Sequence, residues 1–431
     1  MSYIASALET RYGGDKLVVL VAQTNAGSFT YDGIELGAER VIKEIEEKLA
    51  ELTDGGCHIR KLSMVGYSLG GLVARYVCGL LYSRGWFEKI RPVNFTTFAS
   101  PHLGVRTPLA GYGNHLRNVL GARTLCMSGR QLFMIDQFRD TGRPLLSVLA
   151  DPGSIFIHAL KQFEHRSLYA NVVNDRSAPF YTTAISAIDP YTQMDNIDLH
   201  YSQGYEPVIL DPDRPVSLRG EQGSRSVYHR FLGTSRTLVK SLPVYVALAV
   251  LLPVGFVAYL ANSGIQSIRS QRRIKLHEDT YERHGFGIYR FPLFVKDVQH
   301  AVEHAYENVN AARGPEYLPE SDPTHLAETK QQSESLSPDT FSEQSSSSLA
   351  LEKSNSHTSV YRTSSDFPTL ALTPAQFDII EALDGCGFRK IPVYITKSSH
   401  SHAAIVVRRA WTRFDEGKTV IHHWLNEIFQ I

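Results

Sequence analysis

The stretch Lys61-Leu62-Ser63-Met64-Val65-Gly66-Tyr67-Ser68-Leu69-Gly70-Gly71 decides the fold of this chain. Its first five residues form a mostly apolar run that predicts a β-strand, and the following residues up to 80 have apolar side chains at helical spacing. A Gly-x-Ser-x-Gly sequence at a strand-to-helix junction is typical of a nucleophile elbow, which exposes the serine hydroxyl on a strained turn. We expect Gly66 and Gly70 to allow close passage of the backbone, and Gly71 to allow close packing of the helix on the sheet. We also expect the helix N-terminus to stabilise negative charge beside Ser68. The alternative is a glycine-rich turn that carries no chemistry.

Strand-like and helix-like patterns alternate through residues 1–200. This alternation predicts an α/β fold around a mostly parallel sheet. The predicted strands are 17–22, 61–65, 93–99, 167–173 and, near the end of the chain, 389–395. Predicted helices include 41–52, with one apolar face, and 374–383.

Composition divides the chain into four predicted parts. Residues 1–200 and 367–431 are the two parts of the α/β core, and residues 201–314 contain an apolar segment at 242–261. Residues 315–366 are rich in Ser, Glu, Thr and Pro. We expect this insert to be disordered because it has too few apolar residues to offset its conformational entropy.

The balance of charged residues limits the classes of partner. Lys plus Arg and Asp plus Glu each total 44, so the formal net charge is zero. No overall field attracts nucleic acid, and we expect none as a partner. The four cysteines form no metal-binding pattern and are expected to be reduced core residues of a cytosolic protein. The first residues lack the pattern of a signal peptide, so we do not expect secretion.

A serine nucleophile requires a base and a carboxylate, and in hydrolases with this elbow they follow in the order Ser, Asp or Glu, His. Asp175 comes directly after the predicted strand 167–173, where catalytic groups of parallel sheets collect. It is therefore our candidate for the acid, although it could instead close the strand as an Asx turn. Asp136, Asp140 and Asp189 are weaker candidates because they lie in contexts less clearly linked to strands.

Among the 17 histidines, His402 fits the base best, since it follows the predicted strand 389–395 through a short loop. Small residues come directly after it and leave room beside a serine. His400 remains an alternative, as do His422 and His423. His102 precedes Asp175 in the chain, which favours a structural role in which its ring bonds nearby loop carbonyls.

Ester hydrolysis through this elbow also requires two N–H donors for the oxyanion. The first is expected from Leu69, directly after the nucleophile. The second normally comes from a loop after an earlier strand. The chain begins in what is predicted as the helix after that strand, so this donor is expected to be absent or to come from elsewhere.

Four stretches carry a resemblance to a known family: 66–76, Phe98-Ala99-Ser100-Pro101-His102-Leu103-Gly104, Asn174-Asp175-Arg176-Ser177, and His402-Ala403-Ala404-Ile405-Val406. With them the chain resembles the putative serine esterase family of fungal α/β-hydrolase lipases, which includes lipid-droplet phospholipases and monoacylglycerol lipases. The resemblance implies an α/β-hydrolase fold without its N-terminal strand and oxyanion loop. It also implies hydrolysis of glycerolipid acyl esters through an acyl-enzyme, with Ser68, Asp175 and His402 as the triad and no metal or cofactor.

The position of the apolar segment limits how the chain could meet a membrane. Residues 242–261 are long enough to cross a bilayer, but Pro243 and Pro253 interrupt them and basic residues flank both ends. A single crossing would separate Ser68 and Asp175 from His402. We therefore expect a hairpin or interfacial segment on the cytoplasmic face of a membrane or lipid droplet, with a buried core helix as the alternative.

Three functions follow from these observations. The first is a membrane- or droplet-associated lipase or phospholipase. The second is a catalytically weak or inactive lipid-binding or tethering protein that lacks the oxyanion loop. The third, a soluble thioesterase or peptidase, requires the segment 242–261 to be part of the core.

Overall fold

The computed structural model describes residues 1–13, 16–105, 126–219, 264–265, 267–276, 293 and 367–431. The predicted apolar segment 242–261 and the predicted disordered insert 315–366 lie outside these ranges. Within them, no helix combines the length and the apolar character needed to cross a bilayer.

The elements alternate as an α/β protein requires. The strands are β1 (Lys61–Tyr67), β2 (Arg91–Phe98), β3 (His165–Asn171), β4 (Ile197–Leu199), β5 (Val216–Leu218) and β6 (Arg389–Val393). The α-helices are α1 (Ser2–Tyr12), α2 (Ile34–Asp54), α3 (Leu69–Ser83), α4 (Met127–Leu132), α5 (Leu145–Leu149), α6 (Ile155–Gln162), α7 (Phe180–Ala184), α8 (267–276), α9 (Pro374–Asp384), α10 (Ser401–Ala404) and α11 (Asp415–His423). Short 3₁₀ turns cover Gly27–Tyr31, Trp86–Glu88, Arg139–Thr141, Pro190–Asn196 and Thr412–Phe414, and a π-helical turn covers Trp424–Ile428.

The main sheet is parallel and has the strand order β1-β2-β3-β6. Its fourth strand comes from the C-terminal part of the chain, so both ends of the described sequence contribute to one sheet. Strands β4 and β5 form a separate antiparallel pair. The predicted mixed α/β architecture with a mostly parallel sheet is confirmed, and the carboxyl ends of β1, β3 and β6 meet at one edge, where loops can converge.

One predicted strand is wrong. Residues 17–22 form no regular secondary structure and belong to neither sheet. Leu17 and Val19 pack against the core, whereas Val18 and Leu20 are 47% and 40% exposed. The apolar run predicted a strand covered on both faces, but an apolar run becomes a strand only where its backbone finds a pairing partner.

The core lies on both sides of the main sheet. On one side, α3 packs against α6 closely enough that a Cβ added at Gly79 would lie 2.2 Å from the Phe156 ring. Cys78 and Cys386 are buried, as expected, but Cys57 is exposed, which corrects the expectation of four core cysteines. On the other side, Trp424 is fully buried against Phe98, and the apolar residues 404–407 join the same cluster. This second cluster fixes the chain that follows β6.

Candidate active site

Ser68 occupies the junction between β1 and α3 with φ 53° and ψ −130°. Positive φ is uncommon for a residue other than glycine and is costly unless the surroundings hold it in place. The hydrogen bond from the Ser68 N–H to the Phe98 carbonyl (3.0 Å) ties the junction to the end of β2. Ser68 therefore has the strained, sheet-anchored backbone that the elbow motif predicted.

The glycines of the elbow do not all have the same role. A Cβ at Gly66 would lie 2.4 Å from Gly71 Cα, and one at Gly71 would lie 2.1 Å from Ser100 Oγ. A Cβ at Gly70 would meet nothing within 4 Å among the described residues. The expectation that Gly66 and Gly70 both allow close passage is thus right for Gly66 and wrong for Gly70. The second close approach is at Gly71, because that residue faces β2 at the first turn of the helix.

Asp175 lies four residues after β3, and its carboxylate is held from several directions. Its Oδ1 accepts hydrogen bonds from the N–H groups of Ser177 (3.0 Å) and Ala178 (2.9 Å), and its Oδ2 accepts one from Asn171 Nδ2 (2.9 Å). Its side chain is only 2% exposed. The turn is thus an Asx turn, as the alternative interpretation expected, and its carboxylate still has Oδ2 directed to a further partner.

His402 lies on the short helix α10, which contacts the rest of the fold at several points. Ser401 Oγ donates to the Val173 carbonyl (2.8 Å), and Tyr67 Oη donates to the His402 carbonyl (2.9 Å). Before the helix, the buried Glu416 carboxylate accepts the N–H groups of residues 396 (3.0 Å) and 397 (2.8 Å). These bonds fix the imidazole at the edge where β1 and β3 end.

The structure brings the three predicted residues together. His402 Nε2 lies 2.9 Å from Ser68 Oγ, and His402 Nδ1 lies 2.9 Å from Asp175 Oδ2. An ionised carboxylate can only accept, so the bond to Asp175 assigns the proton to Nδ1. In that tautomer Nε2 is unprotonated and can accept the Ser68 proton. The arrangement has the geometry of a hydroxyl activated by an oriented imidazole.

Two neighbours of this constellation have roles that the sequence did not reveal. Tyr67 donates to the His402 backbone, and its ring lies 5.2 Å from the imidazole. Burial raises the pKa of Tyr67 to about 12, so its hydroxyl remains a proton donor at neutral pH. Asn171 supports the Asp175 carboxylate. Their positions at the ends of β1 and β3 were the available signal, but an aromatic or amide side chain at a strand end is not specific to such a site.

The alternative acids lie in structural turns. Asp136 Oδ2 accepts the Leu145 N–H (2.9 Å), and Asp189 caps the turn that contains Tyr191 (3.1 Å). Asp140 lies in the 3₁₀ turn Arg139–Thr141. None of these contacts involves Ser68 or His402.

The alternative histidines have other surroundings. His102 is fully buried, and burial holds its pKa well below the usual value. Its ring bonds the Thr97 hydroxyl (Nε2–Oγ1 3.0 Å) rather than a loop carbonyl, which corrects that expectation. His400 begins α10 and lines the cavity next to His402. His422 contacts Asn426, and the buried His423 bonds the Tyr169 hydroxyl.

Leu69 is the first residue of α3, so its N–H is one of the unpaired donors at a helix N-terminus. Its place directly after Ser68 fits the predicted oxyanion donor, and that role stays a prediction. In the described parts of the chain, no three His, Cys, Asp or Glu side chains lie close enough together to hold a metal ion.

Comparisons with known proteins find matches mainly to the N-terminal part of the chain. Residues 1–188 match the family model described as "Putative serine esterase (DUF676)". The putative lipase ROG1 of Saccharomyces cerevisiae is 31% identical over 193 residues, which are 43% of this chain and 27% of that protein. The putative lipase C4A8.10 of Schizosaccharomyces pombe is 28% identical over 241 residues, 52% of this chain and 30% of that protein. No solved structure matches the chain.

The matched regions span less than a third of the length of these curated relatives. Ser68 and Asp175 lie inside the family match, whereas His402 lies beyond it. The resemblance that the motifs predicted is confirmed for residues 1–188, the part of the chain that matches the model of the putative serine esterase family.

Proposed function

We propose that this protein is a serine hydrolase that cleaves acyl esters of glycerolipids. Ser68 is the nucleophile, His402 the general base and Asp175 the carboxylate that orients the imidazole. The observation that carries the proposal is the continuous pair of 2.9 Å bonds from Ser68 Oγ through the His402 ring to Asp175 Oδ2. The match of residues 1–188 to an esterase family model, and the similarity to proteins named putative lipases, support ester hydrolysis as the reaction class.

The proposed reaction has two halves. Ser68 Oγ attacks the acyl carbonyl while His402 Nε2 takes its proton, and Asp175 stabilises the imidazolium that forms. The Leu69 N–H donates to the oxyanion of the tetrahedral intermediate, and His402 then protonates the departing alcohol. Water repeats these steps on the acyl-enzyme and releases the fatty acid.

A lipid surface is the proposed partner, on the cytoplasmic face of a membrane or lipid droplet. Helix α8 supports this because one face is fixed to the protein and the other is open. Ser270 Oγ donates to the Tyr31 carbonyl (3.1 Å), and Arg273 forms an ion pair with the buried Asp32 (2.6 Å). The exposed side chains of this helix and of the turn before it are mostly apolar or basic, with Gln271 as the exception; the apolar and basic ones are Ile265, Ile268, Arg269, Arg272, Lys275 and Leu276.

At 100° per residue, these six apolar and basic side chains fall within about 120° of the helix circumference, and Gln271 lies just outside this sector. Apolar and basic side chains on one face are the combination that binds the interface of an anionic membrane. Arg273 is one of the basic residues that follow the apolar segment 242–261 in the sequence, but it is paired with Asp32. Flotation with vesicles tests this part of the proposal. We expect vesicles that contain anionic lipid to carry the wild-type protein upward in a density gradient, and the triple variant R269Q/R272Q/K275Q to lose this binding. Equal flotation of the two proteins contradicts this part of the proposal.

A fluorophosphonate probe, which labels activated serines, tests the reaction. We expect it to label the purified full chain in detergent and to fail on Ser68→Ala. Ser6→Ala is the matched control, since it removes an exposed hydroxyl on α1, outside the cavity beside His402. Labelling that persists in Ser68→Ala, or that is absent from the wild type, contradicts the proposal; the latter result favours a tethering protein.

A further inference from the structure

A cavity of about 390 Å³ adjoins His402, and arginines dominate its lining. They are Arg176, Arg408, Arg409 and Arg413. No Asp or Glu side chain belongs to this lining. We call this cavity the arginine pocket.

Two short segments that also carry the candidate site bring these arginines together. Arg176 directly follows Asp175, and the other three lie on the turn between α10, which carries His402, and α11. The turn begins at Val407, whose φ of 49° redirects the chain after α10. The pocket and the proposed triad thus share the same supports.

Trp411 organises part of this positive charge. The guanidinium carbon of Arg413 lies 4.0 Å from the centre of a Trp411 ring, and that of Arg409 lies 4.7 Å from it. Stacking on an aromatic face holds a guanidinium in place without neutralising it. Trp411 itself is 39% exposed, so the stacked groups border solvent.

The positive charge of the pocket is not paired with carboxylates among the described residues. In the described part of the chain, none of the four arginines forms an ion pair with a carboxylate, although such pairs hold many other arginines there. Guanidinium groups match phosphate oxygens geometrically and bind them through paired, charge-assisted hydrogen bonds. The positive charges around the cavity repel one another, and an anion that enters the cavity attracts all of them. Anion binding there is therefore electrostatically favourable.

We propose that the arginine pocket binds the phosphate group of the substrate, so that the enzyme prefers acyl esters of phosphate-bearing glycerolipids over neutral glycerides. This inference rests on the proposed function of Ser68. The phosphate would occupy the pocket, which His402 lines, while the acyl carbonyl lies at Ser68, which His402 contacts through Nε2. Neutral mono- and diacylglycerols offer no charge to this site.

The test compares two substrates with the same acyl chain in the same detergent micelles: a monoacyl glycerophosphate ester and the corresponding monoacylglycerol. The measured quantity is the ratio of their kcat/KM values. The double variant R409Q/R413Q removes the stacked pair and retains Trp411, and R214Q removes an exposed arginine from outside the pocket as a control. We expect the double variant to lower the ratio at least about tenfold, and R214Q to leave it unchanged. An equal fall for both substrates, or no fall, overturns the proposal.

A binding experiment separates failure of this inference from failure of the proposed function. Ser68→Ala keeps the pocket, so calorimetry with glycerol 3-phosphate, inorganic phosphate and octanoate tests it without turnover. We expect both phosphates to bind Ser68→Ala and to lose affinity when R409Q/R413Q is added. Binding of octanoate alone would make the pocket a carboxylate site for the fatty acid product and overturn the proposal. Absence of probe labelling together with phosphate binding would refute the hydrolase but keep the anion site.

Discussion

Two histidines near the C-terminus of this chain each bond a hydroxyl across the fold, in surroundings that differ. His402 Nε2 lies 2.9 Å from Ser68 Oγ, and His423 Nδ1 lies 2.8 Å from Tyr169 Oη. The second nitrogen of His402 bonds a carboxylate, and its ring borders a cavity. His423 instead contacts the ring of Tyr205 edge-on at 4.7 Å and is almost fully buried.

The difference concerns what each imidazole can do with a proton. A carboxylate beside His402 stabilises the imidazolium that forms when it takes one. Burial of His423 has the opposite effect and lowers its pKa to about 4, so it stays neutral. A hydrogen bond between a histidine and a hydroxyl is therefore not sufficient evidence of catalysis. The partner of the second ring nitrogen decides whether the imidazole can act as a base.

The largest expected effect separates the two histidines directly. His402→Gln should lower activity by about 10³-fold or more, because the nucleophile loses its base, and should change the free energy of unfolding little. His423→Gln, the matched variant, should retain activity and lose about 1 kcal/mol of stability with its bond to Tyr169. Ester hydrolysis and urea unfolding measure both. Equal loss of activity in the two variants would break the comparison.

The second prediction removes the carboxylate that distinguishes His402. Asp175→Asn keeps the size of the side chain, but its amide can donate to Nδ1 and thereby favour the wrong imidazole tautomer. We expect kcat to fall by about 10²- to 10⁴-fold. Asp189→Asn is the control, since Asp189 caps a turn elsewhere and its carboxyl, whose pKa burial raises to about 6, has no contact with the site. If Asp175→Asn is as active as this control, the carboxylate is not what makes His402 different.

Much of this contrast was accessible from the sequence, because chain order and strand ends narrow the choice of residues. Four of the five predicted strands lie within the sheet, and Ser68, Asp175 and His402 follow three of them. The failed strand, 17–22, had the right composition but no pairing partner, and composition does not report pairing. The sequence could not exclude His423 as an alternative base, because its burial beside Tyr169 cannot be predicted from the spacing of residues.

The supporting contacts were beyond the sequence for a physical reason. Tyr67 and His402 are 335 positions apart, and Glu416 reaches back 19 positions to the loop before α10. Each contact depends on how separate elements pack, not on a local pattern. Among the elbow glycines, the close approach at Gly71 was predicted, whereas the open space beside Gly70 depends on how the elements pack.

The third prediction tests the hydroxyl side of the comparison. Gly66→Ala places a Cβ 2.4 Å from the Gly71 backbone, so the strand and helix that present Ser68 to His402 must separate. We expect a loss of about 2–3 kcal/mol in the free energy of unfolding, with a fall in activity. Gly70→Ala meets open space on the helix and should stabilise the protein by up to about 1 kcal/mol. Denaturant unfolding measures the free energy of unfolding of both variants. Similar values would show that the strand and helix of the elbow can move apart at little cost.

The smallest expected effect concerns the pH dependence that His423 contributes. Its folded-state pKa of about 4 lies below the ordinary value of 6.5. Between these two pH values His423 is protonated in the unfolded chain but mostly neutral in the folded protein. Stability is therefore lost as the pH falls through 6.5 towards 4, by at most about 2 kcal/mol between pH 7 and pH 5. His423→Gln does not titrate, so the difference between wild type and variant isolates this contribution from Asp189, whose raised pKa acts in the opposite direction.

Urea unfolding of both proteins at pH 7, 6 and 5 measures this difference. The charged neighbours Glu427 and Arg389 oppose each other, because Glu427 raises the pKa of His423 while Arg389 lowers it, which leaves burial as the main cause. If the difference in the free energy of unfolding between wild type and variant is constant across this range, folding does not lower the pKa of His423. The contrast with His402 would then rest on the Asp175 carboxylate alone.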